Sequence, residues 1–381
     1  MMLRRPEKYF PLRVRVCQAC WLVQAEAYSR AAELFNEEYA YFSSYSSAWL
    51  AHAEEYSREA IRELGLGPTS HVIEIAANDG YLLQYFRSAG VPCLGVEPTA
   101  STAAAARQRG IEVVQDFLTV QLARDLVAEG RSADLLVANN VLAHVPDLVD
   151  FVEACRILLK TEGVASFEFP HLMNLVEHNQ FDTVYHEHFY YFSLQTVIET
   201  FAKCGLKVHD VKALGTHGGS FRVWASHASS HGRPIVRTVE SVVAQEQRHN
   251  LRSLGYYSEM QRRAETVKHD LLEYLVNARR KGVRVAGYGA AAKGNTLLNF
   301  AGVRPDLLPF VADKSPHKQG KFLPGSRIPV VHPSQLLKHQ PLEIIVFPWN
   351  LREEITQDLR RLGLRDTKLV CFVPDRQLSA V

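Results

Sequence analysis

The stretch HVIEIAANDGYLLQYF, residues 71–86, decides the fold. Residues 72–75 form a short apolar run, and residues 81–86 carry apolar side chains at helical spacing. The pattern therefore predicts a strand, a tight turn and a helix. In doubly wound α/β folds such a turn brings backbone close to a ligand, which requires small residues and positive φ angles.

Within this turn, Glu74, Ala76, Asn78 and Gly80 occupy alternate positions. This is the spacing of the E-x-G-x-G-x-G loop that holds S-adenosylmethionine, with alanine and asparagine at two of the glycine positions. Asparagine is the non-glycine residue that best tolerates the left-handed region, so its presence at position 78 is physically reasonable. The loop indicates an adenosyl cofactor only together with its surroundings.

Those surroundings are polar residues at the ends of neighbouring predicted strands. Glu97 ends LGVE, where a carboxylate could accept both ribose hydroxyls of a nucleoside, and Asp116 could bind the adenine amino group. Asn139 and Asn140 could reach the methionyl end of the cofactor, and His144 follows just past the same strand. Each also fits a structural role, as a strand-end charge, a turn former or a loop histidine. Their succession at strand ends favours an adenosyl cofactor.

Strands alternate with helices over two long parts of the chain. The alternation runs from about 59 to 231 and resumes after a charged amphipathic stretch at 240–281, which predicts two α/β domains joined by a helix. The predicted fold class is α/β, with a doubly wound parallel sheet, a second Rossmann-like C-terminal domain and a small N-terminal module. The predicted domains are residues 1–58, 59–231 and 232–381.

Composition excludes several partner classes. The 381 residues include 43 Lys plus Arg and 41 Asp plus Glu, so no basic excess points to nucleic acid or an anionic membrane as partner. No apolar run approaches the roughly 20 residues of a spanning helix, and the basic N-terminus lacks the apolar core of a signal peptide. We expect a cytoplasmic protein with a small-molecule substrate.

Cys17 and Cys20 form the one cysteine pair with informative spacing. A C-x-x-C turn lets two thiolates face one metal ion, and half of a tetrahedral zinc site has this pattern. No second C-x-x-C follows. Two partly buried thiols at the edge of a short strand are the alternative interpretation, and a thioredoxin-like redox motif lacks the surrounding strand and helix.

A second glycine motif, GYGAAAKGN, lies at residues 287–295. Gly289 belongs to a G-x-G-x-x-A pattern between a strand and a helix, and Asp313 lies at another strand end, as the dinucleotide fingerprint requires. Lys293 and Asn295 enter at the start of the helix, where a positive charge, an amide and backbone N–H groups would bind any diphosphate. The motif is compatible with NAD, with a sugar nucleotide or with a tight turn that binds nothing.

The segment FDTVYHEHFYYF, residues 181–192, concentrates Tyr185, His186, Glu187 and His188 among aromatic residues. A histidine is suited to proton abstraction because its unperturbed pKa is near neutral, and a carboxylate nearby can orient it. His186, Glu187 and His188 could instead bind a metal, although no further ligand is in view. A polar patch on a core segment is the remaining interpretation.

Several motifs together resemble one family. EEYAYFSSYSS, EIAANDGYLLQYF, NNVLAHVPD, EFPHL, YHEHFYYFSL, THGGSFRV, GYGAAAKGNTLLNF and DKSPHKQGKFLPG are similar to those of the NDP-sugar C-methyltransferases. The nearest type is the enzymes that methylate C3 of a dTDP-4-keto-deoxysugar on the way to branched sugars such as mycarose. The resemblance spans nearly the whole chain.

The resemblance implies an N-terminal zinc-binding module, a central class I S-adenosylmethionine domain and a C-terminal domain that helps to bind the sugar nucleotide. Family members hold zinc with two cysteine pairs, and this chain retains only Cys17 and Cys20. The resemblance therefore does not decide whether this chain binds zinc. The implied substrate is a dTDP-linked 4-keto sugar. The positions that match the family's catalytic residues are Tyr39, His144, Tyr185, Glu187 and His188.

The chemistry explains these residue types. Carbon is a poor nucleophile, so methylating C3 first requires removal of its proton, which the adjacent C4 ketone makes feasible by spreading the charge onto oxygen. We predict His188 as the base and Glu187 as a supporting acid, with His144, Tyr39 or Tyr185 stabilising the enolate oxygen. The alternative functions are an NAD-dependent sugar-nucleotide oxidoreductase and a non-catalytic sugar-nucleotide-binding protein.

Overall fold

The computed structural model of the protein describes residues 6–28, 41–230, 232–374 and 377–381. The chain forms two compact units. The central unit comprises Val14–Leu172 and Glu187–Arg252. The C-terminal unit comprises Met1–Arg13, Met173–His186 and Ser253–Val381.

The two units are not consecutive in sequence. The chain leaves the central unit after Leu172 and returns at Glu187, so it changes unit inside the YHEH motif. Compactness thus assigns residues 173–186 to the unit formed mainly by the end of the chain. The linear division at residues 58 and 231 stays a prediction.

A seven-stranded sheet organises the central unit. Its strands run in the order β5-β4-β3-β6-β7-β10-β9, and a separate three-stranded sheet has the order β1-β2-β8. The strands are β1 (Val14–Val16), β2 (Val23–Ala25), β3 (Val72–Ile75), β4 (Cys93–Val96), β5 (Glu112–Val114), β6 (Ala133–Asn139), β7 (Leu159–Pro170), β8 (Tyr190–Tyr191), β9 (Leu206–Leu214) and β10 (Ser220–His227). Strands β3 to β7 are parallel, whereas β10 is antiparallel to both β7 and β9.

The strands in the middle of this sheet are apolar because both faces are covered. All four residues of β3, VIEI, are buried, as expected for a strand between two helical layers. Two apolar clusters, one on each face, contain Ile73 and Val72 respectively. Because β3 to β7 are parallel, their carboxyl ends meet at one edge of the sheet, where ligands bind in doubly wound folds.

Several helices between Ser47 and Arg248 begin at side-chain caps. Ser46, Asp147 and Ser193 accept hydrogen bonds from backbone N–H groups three residues further on, which satisfies donors that a helix start leaves free. The helices from Ser47 to Arg248 are α1 (Ser47–Leu64), α2 (Leu83–Ser88), α3 (Ala100–Gln108), α4 (Val120–Ala128), α5 (Leu148–Leu158), α6 (Leu172–Glu177), α7 (Leu194–Lys203) and α8 (Arg237–Arg248).

The C-terminal unit contains a second doubly wound sheet with the order β13-β12-β11-β14-β15-β16. Only the β15–β16 pair is antiparallel among its ladders in the described residues. Its strands are β11 (Val285–Tyr288), β12 (Val311–Ala312), β13 (Val330–Val331), β14 (Glu343–Val346), β15 (Lys368–Cys371) and β16 (Gln377–Ala380). Its helices are α9 (Leu254–Tyr257), α10 (Met260–Arg280), α11 (Ala292–Ala301), α12 (Gln335–His339) and α13 (Arg352–Leu362). The prediction of two α/β sheets is confirmed.

The stretch predicted as one connecting helix is divided. Helix α8 ends at Arg248, and the chain turns at Asn250, whose φ of 54° is left-handed. An asparagine is one of the few residues that adopt this conformation readily, so it ends the helix before α10 begins. In the described part of the chain no helix is both long and apolar enough to span a membrane.

Candidate functional site

The loop after β3 has the backbone that its spacing predicts. Ala76, Asn78 and Gly80 have φ angles of 56°, 49° and 77°, so alternate residues adopt the left-handed conformation. A Cβ on Gly80 would lie 3.2 Å from a side-chain carbon of Ile111, so this turn is also tightly packed. Alanine is strained in this region, and such strain clusters at ligand sites.

Glu97, at the end of β4, braces this loop. It is 4% exposed, and its carboxylate accepts hydrogen bonds from Asn78 N at 2.9 Å, Thr99 N at 2.9 Å and Thr102 Oγ1 at 3.0 Å. A carboxylate has about four acceptor positions, so roughly one stays available for a ligand hydroxyl. In the structure Glu97 therefore stabilises the loop, a role that the sequence did not reveal.

Glu74, in β3, is a deeply buried carboxyl group with 1% exposure. Burial raises the pKa of Glu74 well above its usual range, the charges of Glu97 and Asp79 add to this, and a hydrogen bond with Tyr81 opposes it. Its Oε2 atom is buried without a hydrogen-bond partner among the described residues. A cationic ligand beside Glu74 would favour the ionised form of this carboxyl group.

The asparagine pair stands at the end of β6. Asn140 is left-handed, with a φ of 53°, and its N–H donates to the Glu168 carbonyl at 2.7 Å. The side-chain oxygens of Asn139 and Asn140 are both buried without a hydrogen-bond partner in the part of the chain that is described. Asp116 follows the edge strand β5, is exposed, and accepts from Phe117 N at 2.8 Å.

His144 and His188 lie against each other in the central unit. Their ring centroids are 4.6 Å apart at 75°, and His188 is 8% exposed. The Phe189 N–H donates to the Ala143 carbonyl at 2.7 Å, which joins the two chain segments beside the rings. Burial lowers the pKa of His144 to about 4, and a hydrogen bond to the Glu187 backbone opposes this. His144 is therefore a neutral ring at physiological pH.

The other half of the YHEH motif belongs to the C-terminal unit. The Thr296 hydroxyl donates to the Val184 carbonyl at 2.9 Å, and His186 Nε2 lies 3.2 Å from the Pro11 carbonyl oxygen. Tyr185 follows Val184 directly. Within the described ranges no cluster of three or more His, Cys, Asp or Glu side chains could hold a metal ion. Tyr39 lies outside the described residues.

A buried ion pair that the sequence did not reveal lies between β7 and β10. Glu168 Oε2 accepts from Arg222 at 2.9 Å and lies 3.0 Å from His52 Nε2, while Oε1 accepts from Thr216 Oγ1 at 2.9 Å. Burial alone would raise the pKa of Glu168, but the His52 hydrogen bond and the charge of Arg222 hold it below its usual range. Because Glu168 pairs with Asn139 across β6 and β7, this network supports the strand ends of the site.

In the C-terminal unit, the glycine motif makes room for protein side chains. A Cβ on Gly289 would lie 2.3 Å from Pro348 Cδ, and one on Gly294 would lie 2.7 Å from the Phe347 ring. Asp313 accepts from Ala290 N at 2.7 Å and from Ser315 N, so it braces the loop. Close packing therefore accounts for much of the dinucleotide-like pattern.

Lys293 forms the charged centre of this unit's loop. Its Nζ donates to Asn350 Oδ1 at 2.6 Å and lies 4.4 Å from the centre of the Trp349 ring, whose Nε1 donates to Asp182 at 2.9 Å. Burial lowers the pKa of Lys293 to about 8 and raises that of Asp182 to about 6. The Oδ1 atoms of Asp182 and Asn295 are buried without hydrogen-bond partners among the described residues.

Cys17 and Cys20 lie in the turn between β1 and β2. Hydrogen bonds from the Cys20 and Ala19 backbone, and from the Cys20 side chain, lower the pKa of the Cys17 thiol. A structural zinc site needs four ligands, and two thiols alone do not complete one. The described residues add no third ligand to the pair, so they do not fit a closed zinc site.

The buried histidines make stability depend on pH. Burial lowers the pKa of His144 and of His209 to about 4, whereas an unfolded histidine titrates near 6.5. The unfolded state therefore binds more protons between these values, and stability is lost as pH falls from about 6.5 to about 4. For each ring, we expect the free energy of unfolding to fall by up to roughly 3 kcal/mol over this pH range.

Urea unfolding at several pH values between 7 and 4.5 measures this effect. His209→Leu, which leaves His144 in place, should make the dependence of unfolding free energy on pH shallower. An unchanged slope in that variant would show that the pKa of His209 is the same in the folded and the unfolded protein.

Three family models match the sequence. One described as "C-methyltransferase C-terminal domain" matches residues 215–374, one described as "Methyltransferase domain" matches 49–211, and a zinc-binding domain model matches 2–35. The chain is 32% identical over 375 residues to the C-methyltransferase NovU of Streptomyces niveus, which covers 98% of this chain and 89% of that protein.

More distant similarities cover less of the chain. A ubiquinone biosynthesis O-methyltransferase of Actinobacillus pleuropneumoniae is 26% identical over 106 residues, covering 25% of this chain and 44% of that protein. The crystal structure of magnesium protoporphyrin IX methyltransferase from Synechocystis PCC 6803 aligns with 47% of this chain and 83% of its own, at 13% identity and a TM-score of 0.39.

Proposed function

This chain belongs to the family of S-adenosylmethionine-dependent C-methyltransferases, and we propose that it methylates C3 of a 4-keto-deoxysugar carried by dTDP. The predicted class I methyltransferase fold and the enzyme class are confirmed by the family matches. The observation that carries the substrate proposal is the buried His144–His188 pair beyond the strand ends of the methyltransferase sheet.

The cofactor loop supports this assignment with its own geometry. Left-handed residues at 76, 78 and 80 let backbone approach a ligand, and the buried oxygens of Glu74 and Asn139 offer acceptors for positively charged or N–H groups. Bound there, S-adenosylmethionine would supply an electrophilic methyl group. The residues proposed to hold it are Glu74, Ala76, Asn78, Gly80, Glu97, Asp116, Asn139 and Asn140.

His144 and His188 have different proposed roles in the reaction. Efficient proton abstraction requires a base with a pKa near the working pH, and His144, with a pKa of about 4, is a weak base. We therefore assign His188 as the group that removes the C3 proton. A neutral imidazole has one N–H, which bonds the Glu187 backbone in the substrate-free protein. The proposed role of His144 as a donor to the enolate oxygen therefore requires this N–H to turn to the substrate.

The remaining catalytic assignments follow from the positions that match the family's catalytic residues. Glu187, whose backbone bonds the His144 ring, supports the pair, and Tyr185 and Tyr39 are proposed as further donors to the C4 oxygen. A hydroxyl donor strengthens as negative charge develops on that oxygen, which is where stabilisation accelerates the reaction.

For the nucleotide, we propose the loop of the C-terminal unit. Lys293 is a half-buried cation at the start of α11, where backbone N–H groups also favour a phosphate. Its hydrogen-bond partner Asn350 is neutral, and the charge of Asp182 offsets only part of the effect of burial on Lys293. Gly289, Asn295 and Asp313 shape the same loop and are proposed to assist.

Lys293→Met should weaken dTDP binding by about 10- to 100-fold, because one charge-assisted hydrogen bond to phosphate is lost. Isothermal titration with dTDP at two salt concentrations measures this, and the variant should also show a smaller salt dependence. Lys268→Met removes one charge from α10 of the same unit and serves as the control. Equal affinity for dTDP in Lys293→Met and wild type would exclude Lys293 from the phosphate site.

The direct test of the function uses methyl-labelled S-adenosylmethionine and a dTDP-4-keto-6-deoxyhexose, with and without NAD. The proposal predicts label in the sugar at the same rate in both reactions. NAD reduction without label transfer would instead identify a sugar-nucleotide oxidoreductase, and binding without either reaction would identify a non-catalytic binding protein.

A further inference from the structure

Three acidic side chains are buried close together around the cofactor loop. Glu74 lies in β3, Asp79 lies in the loop and Glu97 lies at the end of β4, and none of the three is more than 4% exposed. Taking a carboxylate out of water is costly unless a cation or several hydrogen-bond donors offset its charge. Each of these groups therefore requires such partners if it is to be ionised.

Two of the three groups have these partners. The Glu97 carboxylate accepts three hydrogen bonds, and Asp79 pairs with Arg109 at 3.2 Å. Within the described ranges Glu74 takes part in no ion pair, and its Oε2 atom has no hydrogen-bond partner. A hydrogen bond with Tyr81 is the interaction that favours its charged form. A negative charge on Glu74 is thus the least compensated of the three in this part of the chain.

The surroundings of Glu74 favour its neutral form. Burial raises the pKa of Glu74 most, the hydrogen bond with Tyr81 lowers it, and the charges of the other two carboxyl groups raise it further. Titratable groups of other elements that interact with Glu74 are Tyr56 of α1 and Cys93 of β4, and neither of them supplies a positive charge. The carboxyl group therefore keeps its proton when no ligand is bound.

We propose that Glu74 holds a proton while the cofactor site is empty and releases it to solvent when the methionyl end of S-adenosylmethionine binds. The carboxylate that forms then pairs with a positive charge of the ligand. Because the methionyl end carries two positive charges and one negative charge, loss of one proton leaves the occupied site as neutral as the empty one. The inference rests on the proposed cofactor site and adds to it a proton-linked recognition of charge.

This linkage fixes how affinity depends on pH and on the charge of the ligand. Binding that releases a proton becomes tighter as pH rises, by up to about tenfold per pH unit while the empty site holds the proton. A neutral ligand such as 5′-methylthioadenosine lacks the methionyl end and offers no cation to stabilise the carboxylate. Its affinity should therefore be independent of the protonation of Glu74.

Isothermal titration in two buffers that differ in ionisation enthalpy counts the protons released on binding. At pH 6 the α-amino group of the ligand stays charged, because such groups titrate at about 7.7–8.0. The wild-type protein should then release about one proton for each S-adenosylmethionine bound, and 5′-methylthioadenosine should release none. Binding of S-adenosylmethionine without proton release would overturn the proposal. No binding of S-adenosylmethionine would overturn it together with the proposed cofactor site.

Glu74→Gln tests whether the proton comes from this side chain, since glutamine has a similar volume and stays neutral. At pH 7 the variant should bind S-adenosylmethionine about tenfold more weakly and 5′-methylthioadenosine as in wild type, and it should release no proton. Glu112→Gln changes an exposed carboxyl group of β5 in the same sheet and should release the proton as wild type does. Proton release that persists in Glu74→Gln, or an equal loss of affinity for both ligands, would overturn the proposal.

Both experiments measure cofactor binding without a sugar substrate. If the protein shows the expected proton release and transfers no methyl group to the 4-keto sugar, the inference stands and the proposed substrate is wrong. If it methylates the sugar and releases no proton on cofactor binding, the proposed function stands and the inference is wrong.

Discussion

Replacing His188 with glutamine should lower kcat for methyl transfer by about 10²- to 10⁴-fold, the range that a positioned general base contributes. Glutamine keeps a similar volume and a hydrogen-bonding group, so it preserves packing against the His144 ring 4.6 Å away. It does not accept a proton at neutral pH. The same change should abolish deuterium exchange at C3 of the 4-keto sugar, which reports proton removal separately from methylation.

Two further variants make this result specific. His249→Gln changes an exposed histidine at the end of α8 and should keep both activities. His144→Gln should slow methyl transfer but keep measurable C3 exchange, because its ring is assigned as a donor. Exchange that persists in His188→Gln and disappears in His144→Gln would reverse the two roles.

The second large effect concerns stability. Arg222→Met should lower the free energy of unfolding by about 3–5 kcal/mol, because it leaves a buried carboxylate without its cationic partner. Glu168 has 0% exposure and lies 2.9 Å from the Arg222 guanidinium, and that guanidinium also covers the Tyr56 ring at 4.0 Å. Methionine fills part of the volume and supplies no charge.

The double variant Glu168→Gln with Arg222→Met separates charge from packing. It removes both charges, so it should recover a large part of the stability that Arg222→Met loses. Urea denaturation of the wild type and the three variants gives the interaction energy. If the free energy of unfolding of Arg222→Met lies within 1 kcal/mol of the wild-type value, the buried ion pair contributes little to the stability of this sheet.

Local features of the site could be predicted from the sequence. The alternate spacing of Ala76, Asn78 and Gly80 corresponds to three left-handed residues in the structure, because a strand-to-helix turn imposes its φ angles within a few residues. His144 and His188 were predicted as separate catalytic residues, and the structure brings their rings together. Residue type and spacing carry this kind of information.

Other features depend on contacts between distant parts of the chain. Glu168 and Arg222 are 54 residues apart, and His52 is 116 residues from Glu168. No local sequence pattern therefore predicts the hydrogen bonds among these three residues. Gly289 fits a dinucleotide fingerprint, but its missing side chain makes room for Pro348. A one-dimensional motif does not distinguish space left for a ligand from space filled by the protein.

The position of the transferred methyl group tests the central claim most directly. The protein is incubated with ¹³C-methyl S-adenosylmethionine and a dTDP-4-keto-6-deoxyhexose, and the purified sugar is analysed by carbon-correlated NMR. C3 methylation through an enolate predicts one labelled methyl group bonded to C3, which then carries no hydrogen. A labelled methoxy group, a methyl group on another carbon, or an unlabelled sugar would contradict it.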